Sequence, residues 1–382
     1  MRAGAWRLTG PGVAGVLAAL AGLPLVTQRA DVLNLAFLVF LYAALAESWN
    51  LLAGFAGQVN LGHAAFFGTG AFVMRHLWVA GVHPYLGLLA GGLAASAFSL
   101  VIGLPAFRLR GAYFAIGTLG LAEILRITVG NVLPVVSTLP APFITGYSLV
   151  HRYYLALALL VVTVATVAWL VRSPLGLGLV ALREDEDAAA ATGVDVVRHK
   201  LLALVVSTGL GGMAGAVFAF YHTSYYHQMP FGPGWTFDAL LIAFVGGVGT
   251  LAGPLVGAVF YVLVREVLAQ ALVDVHLLIF GLLFVVVVLV LPGGLVEAAA
   301  RARRAIGAWR GRTAGHGGRR ERAAQGVRSA SGGAPVGAAF PDPAGDRAAA
   351  PGLTDRSKTA REEGDSHSRP GGAHAARGEE ES

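Results

Sequence analysis

The densest group of polar residues in the apolar part of the chain lies within positions 47–68. It has a carboxylate at Glu47, amides at Gln58 and Asn60, and an imidazole at His63. Polar groups at membrane depth need hydrogen-bond partners, because lipid offers none. We therefore interpret Gln58, Asn60 and His63 as candidate residues of a translocation path for a small polar solute.

Glycines at Gly54 and Gly57 predict irregular backbone within this group. Such backbone is tolerated near membrane depth only where protein buries it or where it lines a water-filled cavity. We expect Asn60 to cap a helix over positions 61–77, whose free N–H groups could receive a carboxylate. The same residues also fit a turn at the inner face, in which His63 is a packed, hydrogen-bonded histidine.

Glu123 and Arg126 are three residues apart in an otherwise apolar segment. That spacing puts both side chains on one face of a helix. Ionisable groups in membrane helices are costly and usually face a cavity or a charged partner. The two residues fit a structural ion pair, and Glu123 also remains a candidate contact on the path.

The charged loop at positions 172–200 contains an alanine run that is followed by Gly193. This pattern predicts a short helix that ends at the glycine, and Asp195 can cap the next helix. A short charged helix along the inner face of a membrane suits the docking of a cytosolic protein. A solvated loop would explain the charges but not the alanines.

The chain lacks the phosphate-binding pattern G-x-x-x-x-G-K-[ST], since its two lysines, Lys200 and Lys358, follow His199 and Ser357. The Ser and His residues also form no recognisable nucleophile arrangement. We predict a transport subunit that is not an enzyme and needs no cofactor or metal. Any ATP that drives transport must be hydrolysed by separate chains.

The elements that must position these residues are membrane helices. The 382 residues are 55% hydrophobic and 13% charged, with 52 glycines, no cysteine and a mean hydropathy of +0.66. Soluble domains carry about 25% charged residues, so an ordinary cytosolic enzyme is excluded. The absence of cysteine excludes disulfides and thiolate metal sites. The net charge of +6 comes from loops beside apolar segments and from the C-terminal tail, which suits a membrane better than nucleic acid.

The apolar segments are long enough to cross a hydrocarbon layer, which takes roughly 20 helical residues. They cover positions 8–28, 32–52, 62–81, 85–107, 113–129, 153–171, 201–221, 237–268 and 275–291. Glycines and Pro254 break the stretch 237–268 into two short helices that either span or re-enter. The expected fold is all-α and polytopic, with about ten helices. No convincing cleavage site follows the first segment, so we expect it to be retained.

Basic residues in the loops predict that both termini are cytoplasmic. The inner loops then collect most arginines, and the outer loops hold Arg29 and Arg152. Outer segments also carry Tyr147, Tyr225, Tyr226 and Trp235, whose rings suit the lipid–water boundary. We predict a permease domain at positions 1–296. Positions 297–382 are rich in Arg, Ala and Gly without apolar periodicity, and are expected to be a disordered cytoplasmic tail.

Four motifs occur in a recognisable order: SWNLLAGFAGQVNLGHAAFFGTGA at 48–71, RLRGAYFAIGTL at 108–119, the loop at 173–200, and GGVGTLAGP at 246–254. Together they resemble the permease subunits of branched-chain amino acid ABC importers, the LivM type. The resemblance covers about residues 30–295. The family pattern Gly-Gln-x-x-Leu-Gly-His falls on Gly57, Gln58, Leu61, Gly62 and His63, with Asn60 where small hydroxyl residues are common.

The resemblance implies half of a translocation pathway for Leu, Ile or Val in the bacterial inner membrane. The implied partners are a second permease subunit of the LivH type, two cytosolic ATPase subunits, an extracytoplasmic amino-acid-binding protein and the lipid bilayer, but no nucleic acid. The ATPase-docking loop of the family falls on Arg183, Glu184, Glu186, Ala189, Ala190 and Gly193. A related importer of urea or short amides and a stand-alone secondary carrier or channel stay open as alternatives.

Overall fold

The computed structural model of the chain describes residues 10–140, 143, 148–271, 279, 281–282, 285–286, 289–290 and 293–304. The helices are α1 (Gly10–Val26), α2 (Ala30–Asn50), α3 (His63–Val79), α4 (Pro84–Ala106), α5 (Ala112–Val132), α6 (Leu149–Arg172), α7 (Pro174–Glu184), α8 (Glu186–Ala191), α9 (Val196–Tyr221), α10 (Gly234–Gly246) and α11 (Gly253–Ala271), followed by α12 at residues 294–304. A π-helical turn, Leu51–Phe55, continues α2, and a 3₁₀ turn, Met229–Phe231, precedes α10.

Five helical segments in the described part of the chain are long and apolar enough to cross a membrane. They are Ala30–Phe55, Pro84–Ala106, Ala112–Val132, Leu149–Arg172 and Val196–Tyr221. With the shorter apolar helices, they confirm the predicted all-α, polytopic fold. The stretch 237–268 is divided as expected, into α10 and α11.

The C-terminal predictions are only partly covered by the described residues. Most of the segment 275–291 lies outside them, as do residues 305–382 of the expected tail. The helix α12 runs through the proposed domain boundary at 296/297, so regular structure continues past that boundary to residue 304.

Helices α2 and α9 form the centre of the bundle, and α5 lies at its edge. α9 packs chiefly on α3 and α4, while α2 packs on α6, α10 and α11. Within the most apolar 18-residue stretch of each helix, 67% of α9 is buried but only 17% of α5. Small residues make the central crossing possible, because Gly70 of α3 lies against the backbone of Gly212, and Gly215 lies against the carbonyl group of Phe67.

Contacts between the connecting loops identify the two ends of the bundle. At one end, which we name the sheet end, β1 (Val136–Thr138) pairs antiparallel with β2 (Ser224–Tyr226). The other end, which we name the loop end, contains α7, α8 and residues 51–62, 107–111 and 247–252. There Arg183 contacts Gly54, and Arg110 lies 3.6 Å from Asp187.

The aromatic residues of the sheet end only partly match the expected lipid–water boundary. Tyr226 is exposed, whereas Tyr225 is buried. Trp235 is half-buried, and its ring stacks 4.5 Å from that of Phe67. The Trp235 indole also donates to the carbonyl of Met229, in the 3₁₀ turn that packs against α3. Tyr147 lies outside the described residues.

We expect Gly215→Ala to lower the free energy of unfolding by about 1–3 kcal/mol, because its new methyl group would collide with the carbonyl oxygen of Phe67. Gly120→Ala in α5 is the matched control, since nothing lies within 4 Å of that position. It should raise stability by about 0.4–1 kcal/mol. Denaturant unfolding of the purified protein measures both, and equal stabilities would contradict the close crossing.

Candidate functional site

The N-terminal end of α3 lies inside the bundle and is held by two other helices. The N–H of Leu61 donates to Thr118 Oγ1 of α5 at 3.2 Å. The N–H of Ala64 donates to Thr236 Oγ1 in the first turn of α10 at 2.8 Å. The first turns of α3 and α10 therefore meet at the buried Thr236 side chain. This arrangement is typical of interrupted helices in transporters.

Our prediction that Asn60 caps this helix was wrong. The helix begins at His63 rather than Leu61, and the Asn60 side chain accepts the N–H of Gly62 at 2.9 Å in a local turn. Threonines from neighbouring helices bind two of the N–H groups that we expected to receive a carboxylate. The start of α3 is therefore built from internal hydrogen bonds.

His63 and Asn60 are both completely buried. The hydroxyl of Ser48 donates to the carbonyl of Leu45 at 2.7 Å and lies 2.9 Å from His63 Nε2. The Ser48 hydroxyl has one proton, which it uses in the bond to Leu45. We therefore place a proton on Nε2 of His63, which donates to the Ser48 oxygen. The Trp49 indole donates to the Asn60 carbonyl at 2.8 Å. Both residues thus fasten the start of α3 to α2.

The other two candidate path residues lie nearer the surface of the chain. Gln58 is half-buried. Glu123 accepts from Arg126 Nε at 2.8 Å and from a second N–H of the same guanidinium, which confirms the expected ion pair. The side chains of this pair are 39% and 35% exposed. Glu47 differs from Glu123, because it is fully buried and its carboxylate forms no hydrogen bond of normal geometry with the described residues.

A cluster that we name the clasp ties two segments to the charged loop: the π-helical turn after α2, and the loop between α10 and α11. Asn50 accepts the N–H of Gly249 at 2.8 Å and donates to the carbonyl of Thr250 at 3.1 Å. Arg183 Nη1 donates to the carbonyl of Gly54 at 2.6 Å. Gly249 has a φ of +74°, and its Cα faces the Arg183 side chain, so only glycine fits there. The clasp comprises Asn50, Gly54, Arg183, Gly249 and Thr250.

The charged loop has the expected short helix. α8 ends before Gly193, which has a φ of +91°, and the Asp195 side chain accepts the N–H of Arg198 at 3.0 Å as the cap of α9. Glu186 lies 2.5 Å from the buried ammonium group of Lys200. That ion pair fixes α8 to α9.

The six predicted docking residues therefore have different environments. Arg183 and Glu186 bind within the chain, and Ala189 is buried. The other three residues, Glu184, Ala190 and Gly193, are exposed.

Several ionisable residues inside apolar segments were missed by the sequence analysis. Arg265 donates to the Tyr42 hydroxyl at 2.5 Å, and Tyr261 donates to Asp238 at 2.6 Å, which links α2, α10 and α11. The rule that identified Glu123 would also have identified these residues and Arg75, because all lie within long apolar segments. Thr118 carried no comparable signal, since only the tertiary structure selects its partner.

Arg75 is buried near the sheet end. Its guanidinium donates to the carbonyl of His222 and lies 4.6 Å from the Tyr225 ring centroid. Burial lowers the pKa of His222, and the charges of Arg75 and Arg152 lower it further. His222 is therefore expected to be neutral at neutral pH, beside two arginines.

The fold and the interrupted helices define a class, the multi-pass membrane transport proteins. The chain matches the family described as "Branched-chain amino acid transport system / permease component" over residues 31–288, and it belongs to that family. No solved structure matches the chain.

Curated relatives agree with this family. The high-affinity branched-chain amino acid transport system permease proteins LivM of Salmonella typhimurium and Escherichia coli are each 29% identical over 308 residues, which cover 72% of this chain and 71% of the relative. A probable branched-chain amino acid transport permease protein LivM of Methanocaldococcus jannaschii is 23% identical over 322 residues, covering 70% and 93%.

We expect Asn50→Leu to destabilise the chain by about 1–3 kcal/mol, because the change removes the side-chain partner of the part-buried N–H of Gly249 and of the Thr250 carbonyl. Asn131→Leu, at an exposed position in α5, is the control and should cost less than about 0.5 kcal/mol. Thermal unfolding of the purified chain compares them. A clasp variant as stable as the control would contradict this role of Asn50.

We also expect a pH effect from His222. The pKa of His222 is lower in the folded than in the unfolded chain, so its contribution to stability is complete above about pH 6.5 and is lost as the pH falls below that value. His222→Gln should therefore lose less stability than the unmodified chain between about pH 7 and pH 5.5. His151→Gln, at an exposed position, should not change the profile. Identical profiles for all three proteins would contradict the assignment.

Proposed function

We propose that this chain is the membrane-spanning permease subunit of an ATP-driven importer of branched-chain amino acids, and that it forms half of the translocation path. The observation that carries this proposal is the clasp. Its Arg183–Gly54 hydrogen bond joins the charged loop to the π-helical turn that leads into the first helix interruption, beside the polar cluster. A force applied to the loop by a partner would therefore act directly on the interruption.

The proposed partners follow from the loop. Two cytosolic ATPase subunits would supply the energy, and one would dock on the exposed surface of Glu184, Ala190 and Gly193. A second permease subunit and an extracytoplasmic amino-acid-binding protein would complete the importer in the bacterial inner membrane. The loop end would be cytoplasmic, because Arg110, Arg172 and Arg198 lie there, and basic loops favour that side.

The proposed path residues have two roles. Gln58 and Glu123 reach the surface of the chain and would contact the moving solute. Asn60 and His63 are buried and would act as positioning residues for the start of α3. The convergence of the α3 and α10 N-termini supports a solute path along this part of the bundle.

The test is uptake of labelled leucine and labelled urea by cells that contain the complete set of subunits. We expect ATP-dependent leucine uptake and no urea uptake. Uptake of urea alone would favour the related amide importer. Leucine uptake without an associated ATPase would favour a stand-alone carrier.

Docking is tested by Ala190→Arg, which places a bulky charge on the exposed face of α8. We expect uptake to fall at least tenfold and the ATPase to be lost on purification, while the amount of chain in the membrane stays the same. Ala80→Arg is the control, because Ala80 is also exposed but follows α3 at the opposite end. An Ala190→Arg protein that retains both uptake and its ATPase would contradict the docking surface.

A further inference from the structure

The ion pair of Glu123 and Arg126 lies in the middle of a membrane helix that is largely uncovered. Glu123 is eleven residues beyond the start of α5, which is roughly 16 Å along a helix about 31 Å long. Both side chains remain more than a third exposed in this chain. Two charged groups in contact with hydrocarbon would be expensive, so water, a solute or protein must cover them.

The pair belongs to a continuous stripe on α5. Residues 119, 123, 126 and 130 follow the spacing of one helical face. At the end of this stripe Gly130 lies against the side chain of Gln228, in the segment that leads to the 3₁₀ turn and α10. That segment ends at Gly234, which is exposed. A Cβ atom at this position would have no neighbour within 4 Å. The stripe thus ends beside the segment that leads to the 3₁₀ turn and α10.

We propose that Glu123 and Arg126 form a binding site for the zwitterionic group of an α-amino acid. The Glu123 carboxylate would bind the ammonium group, and the Arg126 guanidinium would bind the carboxylate through its paired N–H donors. This inference rests on the proposed function, since it assigns the substrate class of the same path.

Charge balance favours a zwitterion over other solutes. Without a solute the two residues neutralise each other, so the path has no net charge. With a zwitterion bound, two new ion pairs replace the internal one, and the net charge is again zero. A solute with a single charge would leave one member of the pair uncompensated in a region of low dielectric, which is costly. Urea has no formal charge with which to separate the pair.

Apolar surface beside the pair suits an uncharged side chain. Ile116 and Ile127 lie on the same side of α5 as Glu123 and are 66% and 48% exposed. A solute held by its charged groups at Glu123 and Arg126 can place an aliphatic side chain against these isoleucines. The expected ligand class is therefore an α-amino acid with an apolar side chain.

The test measures binding of labelled leucine to the purified membrane complex without the extracytoplasmic binding protein. The double variant Glu123→Gln with Arg126→Gln removes both charges and leaves no unpaired one. We expect at least a tenfold rise in the Kd for leucine. The control is Glu297→Gln with Arg301→Gln, which removes another helical ion pair, in α12, and should leave the Kd unchanged. An unchanged Kd in the Glu123 and Arg126 double variant would overturn the site.

A second measurement uses the unmodified protein and does not depend on how the variant folds. Isoamylamine lacks the carboxylate of leucine, and 4-methylpentanoate lacks its ammonium group. Each should compete with labelled leucine at least tenfold more weakly than leucine itself, and equal competition by both would overturn the site. Leucine uptake by the complete importer separates the two proposals. If the unmodified importer takes up no leucine, the proposed function fails; if it does and the double variant binds leucine normally, only this site fails.

Discussion

The structure depends on one constraint: every backbone polar group within the hydrocarbon must find a partner inside the protein. Continuous helices satisfy it by themselves, but the described part of the chain contains interruptions at residues 56–62 and 247–252. At both places side chains from other elements bind the released backbone groups. Asn50 binds two groups of the second interruption, and Thr118 and Thr236 bind the start of α3.

The same bonds explain how the interruptions can take part in transport. Each partner lies on a different helix, so the position of one helix determines whether the backbone of another is satisfied. Arg183 extends this dependence to the charged loop through its bond to Gly54. The loop cannot move away from the bundle without breaking that bond or carrying the π-helical turn with it. A partner that binds the loop would thus act on the polar cluster of α2 and α3.

The sequence analysis predicted the membrane helices well, because apolar segments and glycine breaks are local signals. It also predicted the end of α8 at Gly193 and the cap at Asp195 from short-range patterns. It failed where the answer depends on residues distant in the sequence. α3 begins at His63 rather than at Leu61, with its start held by Thr118 and Thr236, and Tyr225 is buried against Arg75. Among the proposed docking residues, Glu186 is paired with Lys200, a partner that no local pattern indicates.

The most direct test of the clasp is a distance measurement in the assembled importer. The chain has no cysteine, so cysteines placed at Val59 and at Leu177, an exposed residue of α7 outside the proposed docking surface, can carry spin labels. We expect the distance between these two labels to stay constant when ATP is added, while the distance from position 177 to a label at Val136 changes. If the 59–177 distance changes while position 59 stays fixed relative to position 136, the central role of the clasp is contradicted.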